Sequence, residues 1–141
     1  MRGIAIAGSL NMDFVVETAK LPSPGETVLG RNFVMLPGGK GANQACAAGR
    51  LAKNSPVKML GRVGYDLFAD QLRASLAAAG VDVSGVHGTQ NHATGVAFIE
   101  VDTQGQNSIV VASGANGTVS VQDAANMKSA FAASAPPSAR I

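Results

Sequence analysis

The chain has 141 residues, 46% of them hydrophobic, with 17 glycines and no tryptophan; this is enough for one domain with a buried core and is unlike a disordered polymer. Its net charge is only +2 and its 11 basic residues are dispersed without an aromatic-interleaved cluster, so no nucleic-acid partner is expected. No apolar run approaches a bilayer span, and the apolar start of the chain stops at Gly8-Ser9, short of a secretion signal; no membrane partner and a cytoplasmic location are expected.

Residues 3–10 form a short apolar run that ends near Gly-Ser and read as a buried first strand. Residues 13–18 and 27–36 carry β-branched and aromatic side chains that favour extended backbone. Between them Leu21-Pro22-Ser23-Pro24-Gly25-Glu26 makes a firm turn, because proline fixes φ and glycine tolerates positive φ. This pair predicts a small β flap inserted after the first core strand. Pro37-Gly38-Gly39-Lys40-Gly41 interrupts regular structure. Residues 42–53 then show helical spacing, with Ala45, Ala48 and Ala52 on one stripe and Ala42, Cys46 and Gly49 beside it. Residues 57–63 are the next core strand and close a βαβ-like unit. A second helix is predicted over 66–79, with Asp66 as N-cap, Gly80 as stop, and Leu67, Phe68, Leu72, Leu76 and Ala79 on its apolar face. Residues 94–101 and 108–112 make a hairpin around a polar loop, and Ser120 caps a last helix reaching residue 133. Residues 135–141 fit no regular element; Pro136-Pro137 cannot belong to a central strand. The alternation predicts an α/β core with an inserted β flap.

Several residues invite a chemical reading. Asn11 and Asp13, two apart in extended backbone, share a face and offer amide donors beside carboxylate acceptors. That pair suits neighbouring hydroxyls of a sugar; it also suits the ordinary end of a strand. The run Pro37-Gly38-Gly39-Lys40-Gly41-Ala42-Asn43 brings three glycines to a helix start, where unpaired N–H groups can hold an anion or a polyol and Lys40 and Asn43 add directed bonds. It lacks both the GxxxxGK[ST] and the GxGxxG spacing, so it is neither standard nucleotide loop. An ordinary glycine-rich connection is the alternative. Arg62 reads as structural, in a strand-end turn capped by Asp66, and Gly114-Ala115-Asn116-Gly117 as a turn. Cys46 reads as a small buried hydrophobe, with a reactive thiol as the alternative. His87 and His92 read as loop histidines without metal partners.

In order, GSLNMD (residues 8–13), LPSPGETV (21–28), PGGKGANQACAAGRLA (37–52), GRVGYDLF (61–68), TGVAFIEVD (94–102) and SGAN (113–116) resemble the ribokinase branch of the PfkB carbohydrate-kinase family. One departure is Tyr65, where relatives carry Asp or a small polar residue. The resemblance implies a ribokinase-like, doubly wound α/β core, incomplete here, with a β-sheet lid built from residues about 13–36 and 94–112. It implies that Asn11 and Asp13 bind sugar hydroxyls, that Gly38, Gly39, Lys40, Gly41 and Asn43 surround the ring, and that Ala97, Ile99 and Val111 cover it. The implied reaction transfers the ATP γ-phosphoryl to the primary hydroxyl of D-ribose, with Mg²⁺ and a monovalent cation such as K⁺ assisting, in a homodimer joined through the lid.

The family's catalytic base belongs to a glycine-rich DTxGAGD-like segment that does not occur here, so no catalytic residue is expected in this chain. Residues 1–134 are expected to be the N-terminal part of the kinase domain, inactive alone and binding neither ATP nor metal. Residues 135–141 are expected to be an aberrant tail left by a frameshift or premature stop. A non-catalytic lid or dimerisation module, or a kinase for another pentose or a nucleoside, are the alternatives.

Overall fold

The structure, a computed structural model, describes residues 3–52 and 54–134; the tail expected at 135–141 lies outside the described residues. Its elements run β1 (Ile4–Ala7), β2 (Asn11–Thr18), β3 (Gly30–Gly38), α1 (Lys40–Leu51), β4 (Val57–Val63), α2 (Leu67–Ala78), β5 (Val81–Gly88), β6 (Gly95–Val101), β7 (Asn107–Ala112), a 3₁₀ turn (Gly114–Thr118) and α3 (Val121–Ser134).

The strands form two sheets. One is parallel throughout, in the order β1-β4-β5. Parallel strands need covering elements. Ala42 and Ala45 of α1 and Ala69, Leu72 and Leu76 of α2 supply them, packed with Val57, Met59, Val63, Val81 and Val86 in the main core. At period two, Lys58, Leu60 and Arg62 leave β4 on the other face. There Arg62 pairs with Asp123 of α3 at 2.5 Å. Ser120 and Asp123 fix the start of α3 reciprocally: the Asp123 N–H donates to the Ser120 hydroxyl, and the Ser120 N–H donates to the Asp123 carboxylate.

The second sheet has the order β3-β2-β6-β7. The sequence predicts two separate strand pairs. The structure joins them, because β2 pairs in parallel with β6 from Asn11↔Gly95 to Glu17↔Val101. Phe14 sits between Phe33 and Phe98 at centroid distances of 6.0 and 5.3 Å, and the Phe68 ring of α2 meets it edge-on at 5.5 Å. These aromatic contacts tie the second sheet to the core.

Further expectations need correction. The first strand, expected to be buried, is largely exposed along β1, where Ile4, Ala5 and Ala7 are exposed. Strand β5 is absent from the sequence reading because its alternation, Val81 to Ser84, breaks at Gly85, where the β4–β5 register slips between Lys58 and Leu60. His87 therefore lies on an exposed strand position, not in a loop, whereas His92 does follow a turn. Helix α1 starts at Lys40, before the expected residue 42, because Gly39 at φ 95° turns the chain directly into the helix. Finally, Leu67 is 68% exposed; at 100° per residue it stands about 140° away from Leu72 and off the buried stripe. Asp66 does cap α2, and Gly80, at φ 80°, does follow its end.

Candidate sugar site

Strand β2 and the start of α1 meet at a hollow of about 330 Å³. Asn11 and Asp13 line it from β2, Gly39, Lys40 and Asn43 from the glycine bend and first turn of α1, and Ala97 and Ile99 from β6. From β7 come Val111 and Ile109, which the cross-strand register places opposite Ala97 and Ile99 respectively. Ser9, Ser113 and Asn116 complete the wall. One end of the hollow's chemistry is polar and the other aliphatic, as suits a small polyol with both hydroxyl and C–H faces.

The three glycines act differently. Gly39 lines the hollow, and a Cβ there would lie 2.6 Å from the Ser9 carbonyl oxygen and 2.8 Å from the Asn11 nitrogen; its φ of 95° alone excludes most side chains. Gly38 and Gly41 are not among the lining residues. A Cβ on Gly38 would stand 2.1 Å from an Asp13 carboxylate oxygen, so its bareness houses the carboxylate. Gly41 faces away, against Gly8 and Met59, and lets α1 lie directly on the first strand's end. The Ala42 N–H donates to Ser9 and the Asn43 N–H to Gly39, which uses two of the helix's early donors. Burial raises the Asp13 carboxyl above its ordinary pKa.

Residues the sequence reading left out include Ser9, Ile109, Ser113 and Asn116. Ile109 carried a signal, since it shares a strand face with Val111. Asn116 carried none beyond its turn, and its side chain does more than turn the chain: it bonds to both main-chain groups of Leu10 and to the Asn11 side chain. Asp66 likewise does more than cap. Its carboxylate accepts from the Thr94 hydroxyl at 2.7 Å and the Thr94 N–H at 2.8 Å, and the Thr94 hydroxyl accepts from Gly64 N–H at 3.0 Å. Burial pushes the Asp66 carboxyl up, but the bonds from Thr94 and Ala69 outweigh it and hold the pKa below the ordinary value.

A smaller hollow, about 190 Å³, lies between the parallel sheet and α3, near Lys58, Arg62, Ser84, His87 and Asp123. Its strongest charges are already paired, Arg62 with Asp123 and Lys58 with Asp82, which leaves the first hollow as the better ligand site. Arg62 is thus structural, as expected. Among the described residues no three His, Cys, Asp or Glu side chains gather at metal-binding separation.

The profile of the "pfkB family carbohydrate kinase" matches residues 1–135. The chain belongs to the pfkB family of carbohydrate kinases. Within that family it is 44% identical to the ribokinase of Schizosaccharomyces pombe over 123 residues, 84% of this chain and 39% of that protein. It is 41% identical to the deoxyribokinase of Salmonella typhimurium over 120 residues, 85% of this chain and 39% of that one. The structure of Arabidopsis thaliana ribokinase complexed with ribose and ATP superposes with a TM-score of 0.71 at 36% identity, covering 82% of this chain and 38% of that one. The fold is accordingly ribokinase-like α/β. The chain spans about two fifths of the length of the curated family members it matches.

Proposed function

We propose that this chain supplies the sugar-binding half and the lid of an ATP-dependent sugar kinase that phosphorylates D-ribose at its primary hydroxyl. The observation that carries the reading is the convergence of Asn11 and Asp13 with Gly39, Lys40 and Asn43 on one hollow that also has an aliphatic wall. In this reading Asp13 accepts from sugar hydroxyls, Asn11, Lys40 and Asn43 donate to them, and Ala97, Ile99, Ile109 and Val111 cover the ring and exclude water. Gly38 acts through Asp13, and Gly41 through the seating of α1. Holding the ring by its secondary hydroxyls leaves the primary hydroxyl for the phosphoryl donor, and positioning is the main part that protein plays in phosphoryl transfer. The solved ribokinase with ribose and ATP supports this choice of substrates, and a cytoplasmic location goes with ATP as donor. The described residues form no acidic cluster for Mg²⁺, so neither it nor K⁺ is assigned to any of them.

Calorimetric titration tests the reading. D-ribose binds the chain, more tightly than 2-deoxy-D-ribose or adenosine, and Asp13→Ala weakens binding at least tenfold. Preference for 2-deoxy-D-ribose or adenosine would transfer the site to those substrates, and absence of binding by all three would overturn it. The chain alone releases no ADP from ATP and ribose; ribose-dependent release would show that it holds a catalytic base.

A second reading, that the chain works as a lid and dimerisation module, is favoured by one observation. Val34, Leu36, Ile109 and Val111 are 45 to 54% exposed on the second sheet, an apolar surface of the kind that marks an interface. Light scattering after size exclusion gives a dimer in this reading, and Ile109→Lys gives a monomer. A monomeric unmodified chain at micromolar concentration would exclude it.

A further inference from the structure

The Asn116 amide is held at two points. The Leu10 N–H donates to its Oδ1 at 2.9 Å, and its Nδ2 donates to the Leu10 carbonyl at 2.9 Å. Exchanging the oxygen and nitrogen would set donor against donor and acceptor against acceptor, so this amide has one orientation. The second N–H of Asn116 Nδ2 then goes to Asn11 Oδ1 at 2.8 Å. That bond orients Asn11 in turn. Its oxygen is taken, and its Nδ2, which makes no hydrogen bond among the described residues and is not sealed from solvent, is the atom left for the hollow. The space for the two amides comes from Gly95: a Cβ there would lie 2.2 Å from Asn116 Nδ2 and 2.4 Å from Asn11 Oδ1. Asn116 itself is anchored by its turn, where Gly114 takes φ 50° and the Ala115 N–H donates to Ala93 at 2.8 Å.

We propose that Asn116 is a positioning residue that makes Asn11 a pure hydrogen-bond donor toward the sugar. The inference rests on the sugar reading above and sharpens it. Asn11 shows N–H groups and, two residues on along the same strand, Asp13 shows carboxylate oxygens. A vicinal diol is then bound in one sense only. The hydroxyl beside Asn11 accepts and the hydroxyl beside Asp13 donates. A ligand without an oxygen at the first position leaves a partly buried donor unpaired, which disfavours deoxy sugars there. The turn after β7 thus sets the specificity of a residue on β2.

The test uses the full chain labelled with ¹⁵N. In the unmodified protein the side-chain amide protons of Asn116 exchange slowly with water, those of Asn11 exchange fast, and D-ribose shifts the Asn11 pair. Asn116→Asp, nearly isosteric but without a donor, turns the Asn11 amide around: its protons become protected, and D-ribose affinity falls at least tenfold. In an Asn11→Ala background the same substitution changes affinity less than twofold, because it acts through Asn11; a merely structural residue would keep its full effect there. Protected Asn11 protons in the unmodified chain, or an undiminished effect in the Asn11→Ala background, would overturn the proposal. The exchange pattern of the unmodified chain decides the clamp even where Asn116→Asp fails to fold. Absence of pentose binding with that pattern intact overturns the sugar reading and the ligand assigned here, while a reversed pattern overturns the clamp itself.

Discussion

The Asp13 carboxylate rests against the bare α-carbon of Gly38, and burial raises its pKa. Because the folded state disfavours its charge, Asp13 costs stability at neutral pH, and that cost is relieved as pH falls through the raised pKa. Ligand binding runs the other way, since protonation removes the acceptor. Asp13→Asn is therefore expected to melt no lower than the unmodified chain while binding ribose about 10- to 100-fold more weakly, the loss for a hydrogen bond to a charged group. Calorimetry from neutral to acid pH should show affinity falling at a higher pH than an exposed aspartate would give, and the fall should vanish in Asp13→Asn. The sequence made Asn11 and Asp13 legible as a pair because period two is a local property of extended chain. It left Asn116 illegible, because the bond that gives it a task joins residues that only the fold brings together.

Among elements, the starts of α2 and α3 are each fixed by an aspartate whose carboxyl is held below its ordinary pKa. Asp66 caps α2 and holds the first residue before β6 through Thr94. Asp66→Ala should lose about 2 kcal/mol or more, a cap plus buried hydrogen bonds, and thermal unfolding would measure it. At α3 the Arg62 guanidinium, then the Ser120 N–H, lower the Asp123 carboxyl to about 2. With a lowered pKa the pair's contribution is present above the ordinary carboxyl value of 3.8 and is lost as pH falls toward about 2. Arg62→Met should cost about 1 kcal/mol and flatten stability across that interval, as read by denaturant unfolding at several acid pH values. The caps were readable from Asp66 and Ser120 in the sequence, since capping needs only neighbours. Strand β5 was not, because its alternation runs for only four residues, Val81 to Ser84, before Gly85 and Val86 are buried in succession at a register slip.

In the whole molecule the hollow lies where glycines let the start of α1 and strand β4 touch the backbone that joins β1 to β2. A Cβ on Gly41 would lie 2.6 Å from the Gly8 carbonyl carbon, and one on Gly61 would lie 2.8 Å from the Gly8 carbonyl oxygen. Gly41→Ala should wedge α1 from β1, lower stability by about 1–3 kcal/mol and weaken ribose binding through displaced Lys40 and Asn43, although Gly41 does not line the hollow. Paired thermal unfolding and calorimetry would check this; loss of stability with unchanged affinity would separate packing from the site.

The sequence by itself determined the helices and every strand but β5, the two caps, the glycine bend and the polar pair on β2, because each depends on residues within a turn or two of one another. Tertiary structure alone decided that β2 pairs with β6, that Gly38 lies against Asp13 and Gly41 against Gly8, and that Asn116 bonds to Asn11. Those outcomes depend on which distant backbones come within hydrogen-bonding or contact distance, and periodicity along a chain carries no record of that.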